Sequence, residues 1–229
     1  MKIIKIILLL ISFNMIANAT EESVYDFLWL DADKSVYVLQ NKTYKKAKTL
    51  GIELSFLQKT GEEFQTTYGL DFKVNYYFTE NWGLEAFYTT YTNSTNDTYK
   101  NLKEVSGNQE PFLRKMNGAY GLMALWSPFY GKVNTFNQIF YFDWGFGLGL
   151  AQLDTQSNIT SVIVPQAPNV FTNDTISAVA MKTMFKIHLS RRHTLGIELR
   201  NFMYRAEAPG ETKQLTNSVD VMVGFGIKF

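Results

Sequence analysis

Cysteine is absent from the 229 residues, which excludes a disulfide framework, thiolate metal ligands, a cysteine nucleophile and a lipid-modified N-terminal cysteine. Histidine occurs twice, too few for a three-histidine zinc site, and nothing in the chain calls for a cofactor. Neither sign of charge dominates: 22 Lys and Arg stand against 21 Asp and Glu, so no basic field invites nucleic acid. Beyond residue 19 no apolar run reaches the ~20 residues of a membrane-crossing helix. The longest clean stretch is Tyr120 to Trp126, and the mean hydropathy is −0.12. Aromatic residues, by contrast, are plentiful, with 18 Phe, 13 Tyr and 4 Trp.

Residues 1 to 19 read as a secretory signal peptide. Lys2 and Lys5 give a positive start, Ile6 to Phe13 is nearly all apolar but too short to span, and Ala17-Asn18-Ala19 is a small-x-small cleavage site. The mature chain would begin at Thr20. Any membrane insertion must then use strands, because a bilayer admits only helices or closed barrels.

The chain carries a period of two. Val219, Val221, Val223, Phe225, Ile227 and Phe229 alternate with Asp220, Met222, Gly224, Gly226 and Lys228. Successive side chains of a strand point to opposite faces, so one face is apolar and the other small or charged. Similar alternation runs from Leu50 to Leu57, Tyr68 to Phe78, Trp82 to Tyr88, Ala119 to Trp126, Phe140 to Ala151, Val179 to Leu189 and Leu195 to Arg200. Together these make eight strands, several of them ~10 residues long, which suits a tilted membrane strand. The predicted fold is all-β: an eight-stranded antiparallel transmembrane β-barrel over residues 49 to 229, preceded by a periplasmic segment over 20 to 48. A ten-stranded barrel, with extra strands in the longest loop, is the alternative.

Connection lengths alternate too. Thr79 to Asn81, Ser127 to Gly131 and Ser190 to His193 read as short turns. Asn93 to Asn117, Asp154 to Thr175 and Ala206 to Thr216 read as long polar loops. Short turns at one end and long loops at the other are the outer-membrane arrangement, with both termini on the periplasmic side.

The face opposite the apolar one should line the lumen. It carries Glu53, Asp71, Glu85, Asp143, Glu198 and Asp220, against Lys73, Lys182, Lys186, Arg200 and Lys228, with His188 beside them. A ring of one sign would suggest a selective pore. Near balance suggests paired side chains, since a lone buried charge is costly and eight strands leave room for little more than side chains. On the apolar face Tyr76, Phe78, Trp82 and Trp126 cluster beside the short turns, where an interfacial aromatic girdle belongs.

Several stretches resemble known families. Gly224, Ile227 and Phe229 match the C-terminal signal read by the outer-membrane barrel assembly machinery, while Met222 falls where a polar residue is usual. Val38 to Lys42 with Tyr44-Lys45-Lys46, Tyr77 to Glu85, Ser127 to Lys132, and Phe142-Asp143 with Gly145, Gly147 and Gly149 are similar to small outer membrane beta-barrel domain proteins of delta-proteobacteria and predatory relatives. The resemblance covers roughly residues 36 to 229. It implies fold and location, and it brings no catalytic residues with it.

Chemistry-bearing combinations are few. His188-Leu189-Ser190 with Glu198 is similar to the His-x-Ser and acid of lipid A deacylase barrels, where histidine activates serine. Here it runs into a turn expected at the wrong end for lipid A. Asp71, Glu85 and Glu198 could pair as acid and base, but nothing fixes their spacing. Glu21, Glu22, Asp26, Asp31 and Asp33 precede Lys34, Lys42, Lys45, Lys46 and Lys48. This sign change points to a structured lead, with Lys42 to Lys48 approaching the inner leaflet or a periplasmic partner. The expected function is non-enzymatic: a barrel with a plugged lumen in contact with outer-membrane lipids, serving anchoring, stabilisation or loop-mediated surface interaction. A small solute pore is the alternative and a lipid-modifying enzyme the third.

Overall fold

Alternation of this length leaves each strand with one face that avoids water and one that needs polar partners, and closing the sheet separates the two. The computed structural model describes residues 42–105, 110–135, 138–163 and 169–229, without the side chains of residues 211 and 212. The expected leader over residues 1–19 and the expected periplasmic segment up to residue 41 lie outside the described residues. Thr43–Phe229 form one unit.

Its strands are β1 (Thr49–Thr60), β2 (Gln65–Tyr77), β3 (Trp82–Thr95), β4 (Arg114–Thr135), β5 (Gln138–Ser157), β6 (Thr172–His188), β7 (His193–Ala208) and β8 (Glu211–Lys228). Each pairs antiparallel with the next, and β8 pairs with β1 from Gly51↔Lys228 to Thr60↔Val219, so the sheet closes as a barrel. Two short helices, α1 (Asp97–Val105) and α2 (Ile159–Ile163), sit in the β3–β4 and β5–β6 connections. The end holding Thr49 and Lys228 is called the near end, and the other the far end.

The faces follow the alternation. Leu54, Phe56, Leu84, Tyr88, Leu122, Leu150, Ile197 and Val223 are exposed on the outer wall. Leu57, Phe87, Met123, Leu125, Met184, Phe202 and Met222 pack inside. Where β4 and β5 meet, two inward glycines are required by the backbone itself. A Cβ on Gly121 would lie 2.2 Å from the Leu150 carbonyl oxygen, and one on Gly149 would lie 2.0 Å from that of Leu122.

Three expectations need correction. The strands have 12 to 22 residues, longer than ~10, because they continue past the apolar belt at both ends. Ser127 to Gly131 is not a turn. The register shifts between Trp126 and Phe129, and pairing then resumes at Phe129↔Trp144 and continues to Thr135↔Gln138. Pro128 sits at that bulge, where a missing N–H costs no ladder bond. Ala206 to Thr216 is likewise no loop: β7 and β8 stay paired to Ala208↔Glu211. Pro209-Gly210 makes the turn between them, with Gly210 at φ 76°, a conformation that favours glycine. The ten-stranded alternative fails, since the described part of the longest connection holds α1 and no further strand.

Candidate functional site

The mid-barrel charge cluster is built from inward positions of β1, β2, β3, β6, β7 and β8, which converge from residues far apart in sequence. At mid-barrel Lys73 Nζ lies 2.8 Å from Glu53, 2.7 Å from Glu198 and 3.5 Å from Asp71. Lys182 reaches Glu85 at 2.6 Å and Glu198 at 3.2 Å. Lys186 reaches the other oxygen of Glu53 at 2.6 Å and Glu198 at 3.5 Å. Glu198 thus stands between three ammonium groups.

One layer towards the far end, Arg200 donates to Asp71 at 2.8 Å and to the Thr89 hydroxyl at 2.8 Å, with Asp220 at 3.4 Å. Tyr91 donates to Asp220 at 2.6 Å. The guanidinium also lies over the rings of Phe87 and Phe202, 4.5 and 4.9 Å from their centroids, so aromatic faces cover what the carboxylates leave. Asp71, Lys73 and Asp220 are 0% exposed, and Glu85, Glu198 and Arg200 1%.

The near mouth is closed by a residue that the alternation did not assign to the lumen. Lys46, before β1, is buried and meets Asp143 at 2.8 Å. His188 Nε2 shares that carboxylate at 2.6 Å, and Lys228 Nζ lies 3.3 Å from His188 Nδ1. Tyr44 stacks on the His188 ring at 4.9 Å, and the backbone N–H groups of Lys46 and Ala47 donate to Glu80. The expectation that Lys42 to Lys48 faces a leaflet or a partner is therefore wrong for Lys46, which turns into the barrel. Adding it matches the six lumen acids with six bases. Between mouth and mid-barrel lies a cavity of about 30 Å³, lined by Glu53, Asn75, Ser127, Asp143, Lys186 and His188 among others. It has room for about two waters.

At the far mouth, Gln65 donates to the Arg114 carbonyl at 2.7 Å, Asn93 to that of Met116 at 2.7 Å, and Asn158 accepts from the Leu113 N–H at 2.7 Å. Beyond them Lys103 pairs with Glu110 at 2.8 Å, and Tyr99 donates to the same carboxylate. Burial pushes the Glu110 carboxyl up, but hydrogen bonds from Lys103 and Tyr99 and the Lys103 charge outweigh it, holding the group below the ordinary carboxylate range.

The candidate catalytic sets do not assemble. His188 faces Asp143, while the Ser190 hydroxyl lies 2.9 Å from His193 Nδ1 and accepts from the backbone N–H groups of Arg192 and His193. Glu198 is committed to lysines. Asp71 and Glu85 answer different cations, Arg200 and Lys182. Among the described residues no group of His, Asp and Glu could hold a metal ion.

On the outer wall Tyr76, Phe78, Trp82 and Trp126 are between 42% and 49% exposed. Trp82 opposes Trp126 across β3 and β4, with centroids 6.1 Å apart. Gly224 has a packing role: a Cβ there would meet the Ser55 hydroxyl at 2.1 Å and Glu53 at 2.9 Å. Ile227 pairs with Ile52. Phe229 is exposed and exchanges backbone hydrogen bonds with Leu50.

No protein-family model matches the chain, and no curated protein sequence does. Among solved structures, the N-terminal β-barrel domain of Pseudomonas aeruginosa OprF is similar, with a TM-score of 0.50 and 11% identity over 80% of this chain and 98% of that one. OprG of Pseudomonas aeruginosa gives 0.47 and 14% over 81% and 98%, and Neisserial surface protein A gives 0.44 and 13% over 79% and 96%. The first likeness supports the fold: an eight-stranded closed antiparallel barrel of the small outer-membrane type.

Proposed function

We propose that the protein is an integral outer-membrane β-barrel with a closed lumen, acting through its two ends rather than by passing solutes or by catalysis. Supporting membrane insertion, every strand exposes large apolar side chains on the outer wall. A soluble protein rarely exposes apolar patches beyond a few hundred Å². In this reading the near end is periplasmic and the far end, with α1 and α2, faces outside. Tyr76, Phe78, Trp82 and Trp126 sit at the inner interface. Residues 1 to 19 are an export leader removed after Ala19, and residues 20 to 48 lead into the barrel, with Lys46 at its mouth. Gly224, Ile227 and Phe229 serve recognition by the assembly machinery during insertion. The resemblance over residues 36 to 229 supports a kinship with small outer membrane beta-barrel domain proteins of delta-proteobacteria and predatory relatives.

The observation that carries the closed lumen is the burial of mid-barrel head groups. A water-filled channel leaves charged groups wet, whereas Lys73, Asp71 and Arg200 are out of contact with solvent and answered by each other. Stabilisation, or presentation of the far-end loops, is what such a barrel can do. The test is fractionation of expressing cells followed by protease treatment of intact ones. The expected result is protein in the outer membrane and cleavage confined to the α1 and α2 connections. Protein in the soluble fraction, or cleavage at the β4–β5 hairpin of intact cells, would overturn the reading.

A further inference from the structure

Outside the lumen, the near rim carries a groove of about 390 Å³, lined by Lys45, Thr49, Arg191, Arg192, Lys228 and Phe229. No acidic side chain lines it. Lys228 turns its ammonium towards His188, which leaves Lys45, Arg191 and Arg192 as its free cations; among the described residues no carboxylate lies within ion-pair distance of these three. Even with a carboxylate at Phe229 the lining stays positive. The groove is held in place. Arg192 accepts at its carbonyl from the Lys228 N–H at 2.7 Å, the Ser190 hydroxyl accepts from the Arg192 and His193 N–H groups, and Phe229 is tied to Leu50.

Directly towards the middle of the barrel the outer wall is apolar. Ile227 lies between Ile52 and His193, and Phe225 lies between Leu54 and Leu195. The His193 ring stacks on Phe225 at 5.6 Å. A cationic rim above a greasy wall matches one class of molecule: a phosphate head joined to hydrocarbon chains.

The geometry points to a specific site for an anionic glycerophospholipid of the inner leaflet, its phosphate held by Lys45, Arg191 and Arg192 and its chains lying on Ile227, Phe225 and Leu195. Arginine suits this task because its planar fork donates two parallel hydrogen bonds to a phosphate. A free phosphate would use the same cations but not the wall. This site presupposes that the barrel spans a membrane with the near end inward.

The test is native mass spectrometry of the full chain, refolded into zwitterionic detergent and titrated with phosphatidylglycerol. Flotation with phosphatidylcholine vesicles is measured separately on the same samples. The expected result is one retained phosphatidylglycerol per chain and weaker retention of phosphatidylcholine. In Arg191→Gln/Arg192→Gln the affinity should fall roughly 30-fold, while Lys100→Gln/Lys103→Gln at the far end changes nothing. Arg191, Arg192 and Lys100 are exposed and Lys103 is half-buried, and the shift in gel mobility between unheated and boiled samples checks the folding of both double variants. Equal retention by both variants would overturn the site. Displacement of the lipid by millimolar inorganic phosphate would overturn the lipid and leave a free-phosphate site. Failure of flotation would instead overturn membrane insertion itself.

Discussion

Glu198→Gln tests the lumen network at its hub. The carboxylate faces Lys73, Lys182 and Lys186 at 2.7, 3.2 and 3.5 Å. At an effective dielectric near 20, each such contact amounts to about 5–6 kcal/mol of attraction before solvation is counted. Burying each ion takes back several kcal/mol, so the gross attraction is not the net effect. Glutamine keeps the volume and an acceptor oxygen but removes the charge, and three ammonium groups must then share Glu53, Glu85 and Asp71. Leaving buried charge uncompensated costs about 3–5 kcal/mol, which is the expected loss. Equilibrium urea unfolding in phospholipid vesicles, followed by tryptophan fluorescence, measures it. Lys73→Met in the same background supplies the second arm, because it removes one of the ammonium groups that lost a partner. The double variant should be more stable than the sum of the single losses by at least ~1 kcal/mol. A Glu198→Gln loss below ~1 kcal/mol, or additivity within ~0.5 kcal/mol, would refute the network.

Other expectations follow from the same geometry. Gly149→Ala sets a Cβ against the Leu122 carbonyl, which cannot move aside, and should cost ~1–3 kcal/mol. Gly196→Ala meets Lys186 at an ordinary 3.5 Å and should fall within ~0.5 kcal/mol of the parent in the same unfolding assay. The Glu110 carboxyl should titrate below its ordinary value in an NMR pH series, and Lys103→Ala should raise its midpoint. Because its folded value is depressed, its contribution to loop stability is present above the unfolded value and lost as pH falls through the folded one. A midpoint unmoved by Lys103→Ala would contradict the pairing. Since the chain has no cysteine, Ser127→Cys offers a clean probe of the near-mouth cavity. A small thiol reagent should label it slowly, and several-fold faster when Lys46→Ala unplugs the mouth; equal rates would mean that Lys46 does not close it.

The strands were readable because a barrel wall imposes period two over long runs, and Glu53, Lys73 and Arg200 announce themselves as charged residues in otherwise apolar alternation. Their partners were not readable. Lys186 and Glu53 meet across the lumen from 133 residues apart, and no local pattern encodes that. Lys46 was missed because it precedes β1 and belongs to no alternation. Ser127 to Gly131 contains Pro128 and Gly131, which interrupt the alternation as a turn would, yet the bulge holds the proline and pairing continues. Ala206 to Thr216 misled through its polar composition. Strands that run beyond the apolar belt lose the alternation that marks them, although they keep their hydrogen bonds.

Whether the lumen is closed is decided by single-channel recording of the refolded chain in a planar bilayer. Folding would be established beforehand by the gel-mobility shift. The expected result is a silent membrane from folded protein, with no current at either polarity. Discrete, reproducible conductance steps from that same protein would contradict the closed lumen and make the ion-pair layers a gate rather than a plug.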